Sequence, residues 1–339
     1  MIAMPAINTA ENEMLSKIAF VGTGGTIASI GTDQFDLLDY NATQERIDAD
    51  ALIERLGLQG HLADILPVNF RRIDSTAITF SDWADLADLC HDLAGDPDLK
   101  GIVIGHGTAS LEETAWLLSL VLDIQIPVVV TGSMRPLTGI SSDANANLAA
   151  AVRVAAHVNA PGVFVVINDE IHSARSVTKS HTLRLNAFQS PWFGPLGYVD
   201  GPDVRFSGPT ASPFANRFER NLLRQMPRVD IAYSYVGADG CAITSFLAAG
   251  AKGIVSAGFG PGMGTPEETR VLGEAISSGI AVVQSARTGA GQVVNSAHHR
   301  SLGIIAGKDL NPQKARILLA LCLARGDSQK DIEAVFQSL

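Results

Sequence analysis

The sequence predicts an α/β protein in two units, the larger one N-terminal and built on a mostly parallel sheet with helices on both faces. Three observations carry this expectation. Short apolar runs alternate with stretches whose apolar residues repeat every three to four positions, the pattern of strands followed by helices. At 339 residues the chain exceeds the length at which a single hydrophobic core stops growing. Between about Gly194 and Arg220 the periodicity lapses into a Gly-, Pro- and Ser-rich stretch holding Gly201-Pro202 and Gly208-Pro209, a composition suited to a linker. The expected boundaries are 17–195 for the N-terminal unit, 196–221 for the linker and 222–339 for a smaller C-terminal α/β unit.

The strands of the first unit are read at residues 17–21, 101–104, 126–130 and 162–167. Their nearly unbroken hydrophobicity implies a sheet covered on both faces. Helical periodicity occupies 81–93, 111–122 and 145–157. Ser110-Leu111-Glu112-Glu113 is a capping-box pattern, and Thr265-Pro266-Glu267-Glu268 adds a proline at the first helical position. The second unit repeats the alternation, with strands at 229–235, 253–257 and 279–284 and helices near 265–278 and 311–325. Neither an internal repeat nor a low-complexity tract interrupts it.

Composition narrows the function. A net charge of −10 opposes binding to a polyphosphate backbone, which draws on clustered Lys and Arg, so no nucleic-acid partner is expected. Cys90, Cys241 and Cys322 lie far apart in apolar surroundings and read as buried core residues rather than a disulfide or a zinc site. The first 16 residues carry Glu11, Asn12 and Glu13 instead of a basic segment followed by an apolar one. No apolar run reaches the length of a membrane span. The expectation is a cytoplasmic protein with a flexible N-terminal tail and no membrane partner.

Three motifs sit where strands end. Gly22-Thr23-Gly24-Gly25-Thr26-Ile27-Ala28 follows the first strand. A nucleotide-binding reading fails, because the third dinucleotide glycine would fall on Ile27 and no Gly-Lys-Ser/Thr follows. Two glycines before Thr26 permit a sharp turn that leaves its hydroxyl at the carboxyl end of a strand, where open α/β sheets bind ligands, although a plain strand-to-helix turn fits the same residues. Gly105-His106-Gly107-Thr108 ends another strand before a helix whose first N–H groups suit a carboxylate or an oxyanion. In Ser176-Val177-Thr178-Lys179 the lysine is either an ordinary solvated side chain or, if desolvated beside a hydroxyl, a base. The adjacent His298 and His299 read as a solvated loop, and no Cys or His ligand cluster calls for a metal.

Taken together, Thr23-Gly24-Gly25-Thr26-Ile27-Ala28, His106-Gly107-Thr108 with Leu111-Glu112-Glu113-Thr114, Gly132-Ser133-Met134-Arg135-Pro136, the segment from Asp169 to Lys179, Phe188-Gln189-Ser190-Pro191 and Asn311-Pro312-Gln313-Lys314-Ala315-Arg316 resemble the signature blocks of the bacterial-type L-asparaginases, in the family's order. The resemblance covers roughly residues 17–337. It implies an amidohydrolase with Thr26 as nucleophile and Tyr40 as its hydroxyl partner. Thr108 and Lys179 would form a second catalytic group. Ser75 would bind the substrate carboxylate, and the backbone N–H groups of Thr108 and Ser133 would receive the oxyanion. It further implies no cofactor, a small-molecule amide substrate, and a homotetramer built as a dimer of dimers.

The sequence departs from this family where the substrate's α-ammonium is held. Ala109 stands where the family has Asp, and Thr76 where a Gln is common. Pro261 and Met263 replace the asparagines of a Gly-Asn-Gly-Asn stretch, and Thr288-Gly289-Ala290-Gly291-Gln292 lacks the acidic residue a neighbouring subunit would lend. Burying an ammonium without a partner costs about 3 to 5 kcal/mol, hundreds- to thousands-fold in binding. The expected substrate is therefore a carboxylate-bearing amide without a free α-ammonium, near Ser75, Thr76, Ala109, Ser133 and Met263. An L-asparaginase/glutaminase proper and a non-catalytic binding homologue are the alternatives.

Overall fold

The structure, a computed structural model, describes residues 15–158, 161–208 and 217–339. In the first unit β1 (Lys17–Gly24), β2 (Asp64–Ile73), β3 (Leu99–Gly105), β4 (Pro127–Thr131) and β5 (Gly162–Ile167) run parallel, in the spatial order β2-β1-β3-β4-β5. β6 (Glu170–Ser173) turns back antiparallel on β5. A separate two-stranded ribbon, β7 (Thr178–Lys179) and β8 (Phe188–Gln189), follows. β9 (Gly197–Asp200) and β10 (Asp203–Phe206) then complete the far edge of an eight-stranded sheet.

Alternation along the strands sends side chains to both faces, as a doubly covered sheet requires. Ile18 and Phe20 of β1 join the core with α1 (Ala49–Leu56) and α4 (Ala144–His157). Ala19 and Val21 face the other core, where α2 (Phe80–Leu93) and α3 (Leu111–Val121) bury Trp83 and Trp116.

The second unit is a four-stranded parallel sheet, β11 (Val229–Tyr233), β12 (Gly253–Gly258), β13 (Ala281–Ala286) and β14 (Ile305–Ala306), in sequence order. α5 (Cys241–Ala248) and α6 (Pro266–Ser277) pack on one face around Ile243, Val271 and Leu272. α7 (Ala297–Leu302), α8 (Pro312–Arg325) and α9 (Gln329–Gln337) complete it. α8 is the seam between units: its Ile317, Leu318 and Leu321 share a core with Trp116 of α3, whose indole Nε1 donates to the Lys314 carbonyl at 3.1 Å.

Several expectations change. Residues 197–206, taken as linker, form the β9–β10 hairpin, because Gly201 at φ 61° supplies a turn within the sheet rather than an exit from it. Residues 209–216 of the expected linker, and 1–14 of the expected flexible tail, lie outside the described residues. Cys90 and Cys322 are buried as expected, but Cys241, the first residue of α5, is exposed. The capping box at Thr265 forms, with Glu268 accepting from the Thr265 N–H at 2.9 Å. The one expected at Ser110 does not, because the Ser110 hydroxyl donates to the Ser75 carbonyl at 2.6 Å instead. Among the described residues no helix is long and apolar enough to cross a membrane.

Candidate active site

The site lies at the carboxyl edge of the larger sheet, where β1, β2, β3 and β4 end. After β1 the chain turns through Gly25 at φ 74°, and a Cβ there would lie 2.3 Å from the Gly107 Cα. A Cβ on Gly107 would in turn lie 2.7 Å from the Ser75 hydroxyl. Only glycine permits these approaches, which press the turns after β1, β2 and β3 together. Thr26 and Thr108 follow immediately on the two glycines, and Ser75 is itself one of the contacts. The turn after β4 joins through the His106 N–H, which donates to the Thr131 carbonyl at 2.8 Å.

Two hydrogen-bonded side-chain pairs occupy this edge. Thr26 Oγ1 and Tyr40 Oη share a hydrogen bond at 2.9 Å, with Tyr40 opening a short helical turn at Tyr40–Ala42. Lys179 Nζ donates to Thr108 Oγ1 at 2.8 Å. Burial lowers the Lys179 pKa below the ordinary lysine range, while the Glu112 carboxylate opposes that shift. The lysine is thus brought toward its neutral, proton-accepting form while touching a hydroxyl.

Ser75 is buried, and its Oγ accepts from the Ala109 N–H at 3.2 Å. Its own proton is left for an acceptor such as a carboxylate. Thr76 and Ala109 are exposed beside it and bring no charge. Among the described residues, neither the Thr108 nor the Ser133 amide donates a hydrogen bond within the chain.

His106 is fully buried and braces this edge. Trp83 Nε1 donates to Thr114 Oγ1 at 2.8 Å, so the Thr114 hydroxyl can give its own proton to His106 Nε2, 2.9 Å away. Nδ1 then carries the ring proton and donates to the Gly107 carbonyl at 2.8 Å. Burial pushes the His106 pKa down to about 4, in keeping with this neutral tautomer.

The sequence reading missed the groups that hold these residues still. The Asp143 carboxylate accepts from the N–H groups of Met134 and Arg135, each at 2.9 Å, and Asn147 Nδ2 donates to the Gly132 carbonyl at 2.9 Å. Together they fix the turn that carries Ser133. On the other side, buried Lys314 of α8 donates to the carbonyls of Ala174 and Arg175, both at 2.9 Å, and to that of Val177, fastening the segment that leads into Lys179. Gln313 Nε2 holds the Glu112 carboxylate at 2.7 Å. An acid directly before the helical run at Asp143-Ala144, and a lysine in the first turn of α8 just ahead of its apolar stretch 317–321, were the available signals. Met263 lies in the second unit, 51% exposed, and does not line the cavity beside Ser75.

Comparison with known proteins agrees with this architecture. Residues 17–211 match the family description "Asparaginase, N-terminal", and residues 228–336 match "Glutaminase/Asparaginase C-terminal domain". The chain is 35% identical to the L-asparaginase 2 of Bacillus subtilis, over 97% of this chain and 88% of that protein. It is equally 35% identical to the glutaminase-asparaginase of Pseudomonas aeruginosa, over 98% of this chain and 93% of the other. The crystal structure of a probable cytoplasmic L-asparaginase from Campylobacter jejuni superposes with a TM-score of 0.86 at 40% identity, covering 95% of this chain and 99% of that one. With both family regions matched in order and relatives aligned over nearly its whole length, this chain belongs to the asparaginase family.

Proposed function

We propose that the protein hydrolyses the side-chain amide of a small carboxylate-bearing substrate that lacks a free α-ammonium, through an acyl-enzyme on Thr26. The observation that carries this reading is the Ser75 hydroxyl, poised for a carboxylate between the Thr26–Tyr40 and Thr108–Lys179 pairs, with Ala109 beside it in place of an acid. Thr26 Oγ attacks the amide carbon as its proton leaves by way of the Tyr40 hydroxyl, and the nitrogen departs as ammonia with that proton. The Thr108 and Ser133 amides meet the oxyanion, each worth roughly 3 to 4 kcal/mol in comparable sites. Lys179 in its neutral form then draws a proton through Thr108 from the water that cleaves the ester. That proton passes on to the departing Thr26 oxygen, so the carboxylic acid is released and the Thr26 hydroxyl and neutral Lys179 are restored.

The names of the relatives favour a second reading, an L-asparaginase or glutaminase proper. Ammonia release from L-asparagine, L-glutamine and succinamate, which is asparagine without its amino group, separates the two. Succinamate is expected to give the higher kcat/KM, and L-asparagine as the best substrate would overturn the reading. Ammonia release from none of them would leave the binding homologue. Ala109→Asp should raise kcat/KM for L-asparagine about tenfold, roughly 1.4 kcal/mol, and lower it for succinamate by placing an unpaired charge in the pocket.

A homotetramer of paired dimers and a cytoplasmic location belong to the same reading. Tyr233, Tyr235, Val236 and Met263 stand 59%, 57%, 90% and 51% exposed around the ends of the hydrogen-bonded strands β11 and β12. Exposed large apolar side chains of this kind fit a subunit contact, which is how Met263 would reach a neighbour's site. Light scattering at micromolar concentration should return four chains per particle, and a monomer would refute the assembly.

A further inference from the structure

The side chains that line the site leave a space beside Ser75 whose content is unassigned. A cavity of about 310 Å³ opens there, bordered by Ser75, Ala109, Ile78, Phe80, Glu113 and Arg316 among others. One water occupies roughly 30 Å³, so a substituent of several heavy atoms fits. Absence of an acid at 109 both removes the partner for an ammonium and leaves this space open toward Ser75.

Glu113 is the unusual member of the lining. It is partly buried, and among the described residues its carboxylate receives no hydrogen bond. The residue at the same third position of α6, Glu268, is engaged by its capping box, whereas Ser110 has turned to the Ser75 carbonyl and left Glu113 without that partner. Burial raises the Glu113 pKa, with Glu112 adding to the effect and Arg316 and Lys314 offsetting part of it. Arg316 is itself committed, its Nε donating to the Val229 carbonyl at 2.9 Å and its guanidinium 5.2 Å from the centre of the Phe80 ring. A partly buried carboxylate that receives no hydrogen bond from the described residues, in a cavity walled on one side by Ile78, Phe80 and Trp83, is matched by a ligand cation.

We propose that this cavity is a subsite for an aminoacyl group on the substrate's α-nitrogen, so that the preferred substrate class is a short peptide ending in asparagine. Its C-terminal carboxylate meets Ser75, its α-nitrogen is an uncharged peptide N–H beside Ala109, its preceding side chain lies along Ile78 and Phe80, and its terminal ammonium meets Glu113. Only the side-chain amide is cleaved, and the peptide bond stays intact. The inference rests on the reading that the substrate carries no free α-ammonium, and it explains why no acid is needed at 109.

Ammonia release is measured for glycyl-L-asparagine, N-acetyl-L-asparagine, succinamate and L-asparagine, with wild-type protein and Glu113→Gln, the intact peptide bond being checked by mass spectrometry. Glycyl-L-asparagine is expected to exceed succinamate at least tenfold in kcat/KM and to exceed N-acetyl-L-asparagine, which lacks the terminal ammonium. Glu113→Gln should reduce the ratio of glycyl-L-asparagine to succinamate about tenfold and leave the ratio of N-acetyl-L-asparagine to succinamate within twofold. Succinamate faster than L-asparagine, with glycyl-L-asparagine no faster than succinamate, overturns the subsite while the broader reading stands. L-asparagine faster than succinamate sinks the broader reading itself. A Glu113→Gln protein that loses all substrates in equal proportion assigns Glu113 a structural role and also overturns the proposal.

Discussion

Thr26→Ala is expected to reduce turnover below about one per cent of wild type on the best substrate while the protein stays folded. The argument combines chemistry with packing. If Thr26 Oγ forms the ester, its removal leaves no group to accept the acyl carbon, and the oxyanion donors alone cannot replace a covalent step. The structural cost is small. Thr26 is only partly buried, and among the described residues its hydroxyl makes one hydrogen bond, to Tyr40, worth roughly 1 kcal/mol net. Thermal unfolding should therefore move by a few degrees at most, and equilibrium binding of the substrate should persist, since Ser75 and the cavity beside it are untouched. Thr26→Ser keeps the hydroxyl and should keep part of the rate. Steady-state ammonia release, with a calorimetric titration on the Ala variant, gives the check: activity above one per cent takes the nucleophile away from Thr26.

How much of this was legible in the sequence depends on whether a residue's role is local. β5 is read to the residue and β3 and β4 to within two, because each is buried on both faces and appears as an unbroken apolar run. β2 escapes that test. It is the sheet edge, and Asp64, Pro67, Asn69, Arg71 and Arg72 interrupt its hydrophobic pattern as solvent exposure allows. The β9–β10 hairpin was mistaken for linker because Gly and Pro punctuate hairpins and exits alike. At Ser110 a sound local pattern lost to a tertiary contact, the carbonyl of a residue 35 positions away. The same distance effect hid the supports of the site. Lys314 grips carbonyls some 140 positions earlier in the chain, and no spacing rule reaches that far. The pairs themselves were named from the resemblance, since Thr108 and Lys179 are 71 positions apart and nothing in their separate motifs joins them.

Lys179→Met and Thr108→Val are each expected to cost on the order of 10²–10⁴ in kcat, the range for a positioned acid or base, and the double variant little more than either alone. The reason is the single 2.8 Å contact between Lys179 Nζ and Thr108 Oγ1. If the amine acts on substrate only through that hydroxyl, removing one group makes the other redundant. Losses that multiply in the double variant would mean independent roles and would refute the pairing. The pH profile gives a second, independent reading. Burial lowers the Lys179 pKa, so the rate should climb with pH on a limb below the ordinary lysine range. The Glu112 carboxylate favours the protonated amine and holds that pKa up, so Glu112→Gln should let it fall further and move the limb toward acid. A limb that stays in place in Glu112→Gln, or that survives in Lys179→Met, would assign the titration to another group. Intact-protein mass spectrometry during turnover distinguishes the step affected: if the pair serves ester cleavage, the Lys179→Met protein should accumulate the acyl adduct on Thr26, whereas an unmodified protein would place the pair in the first step.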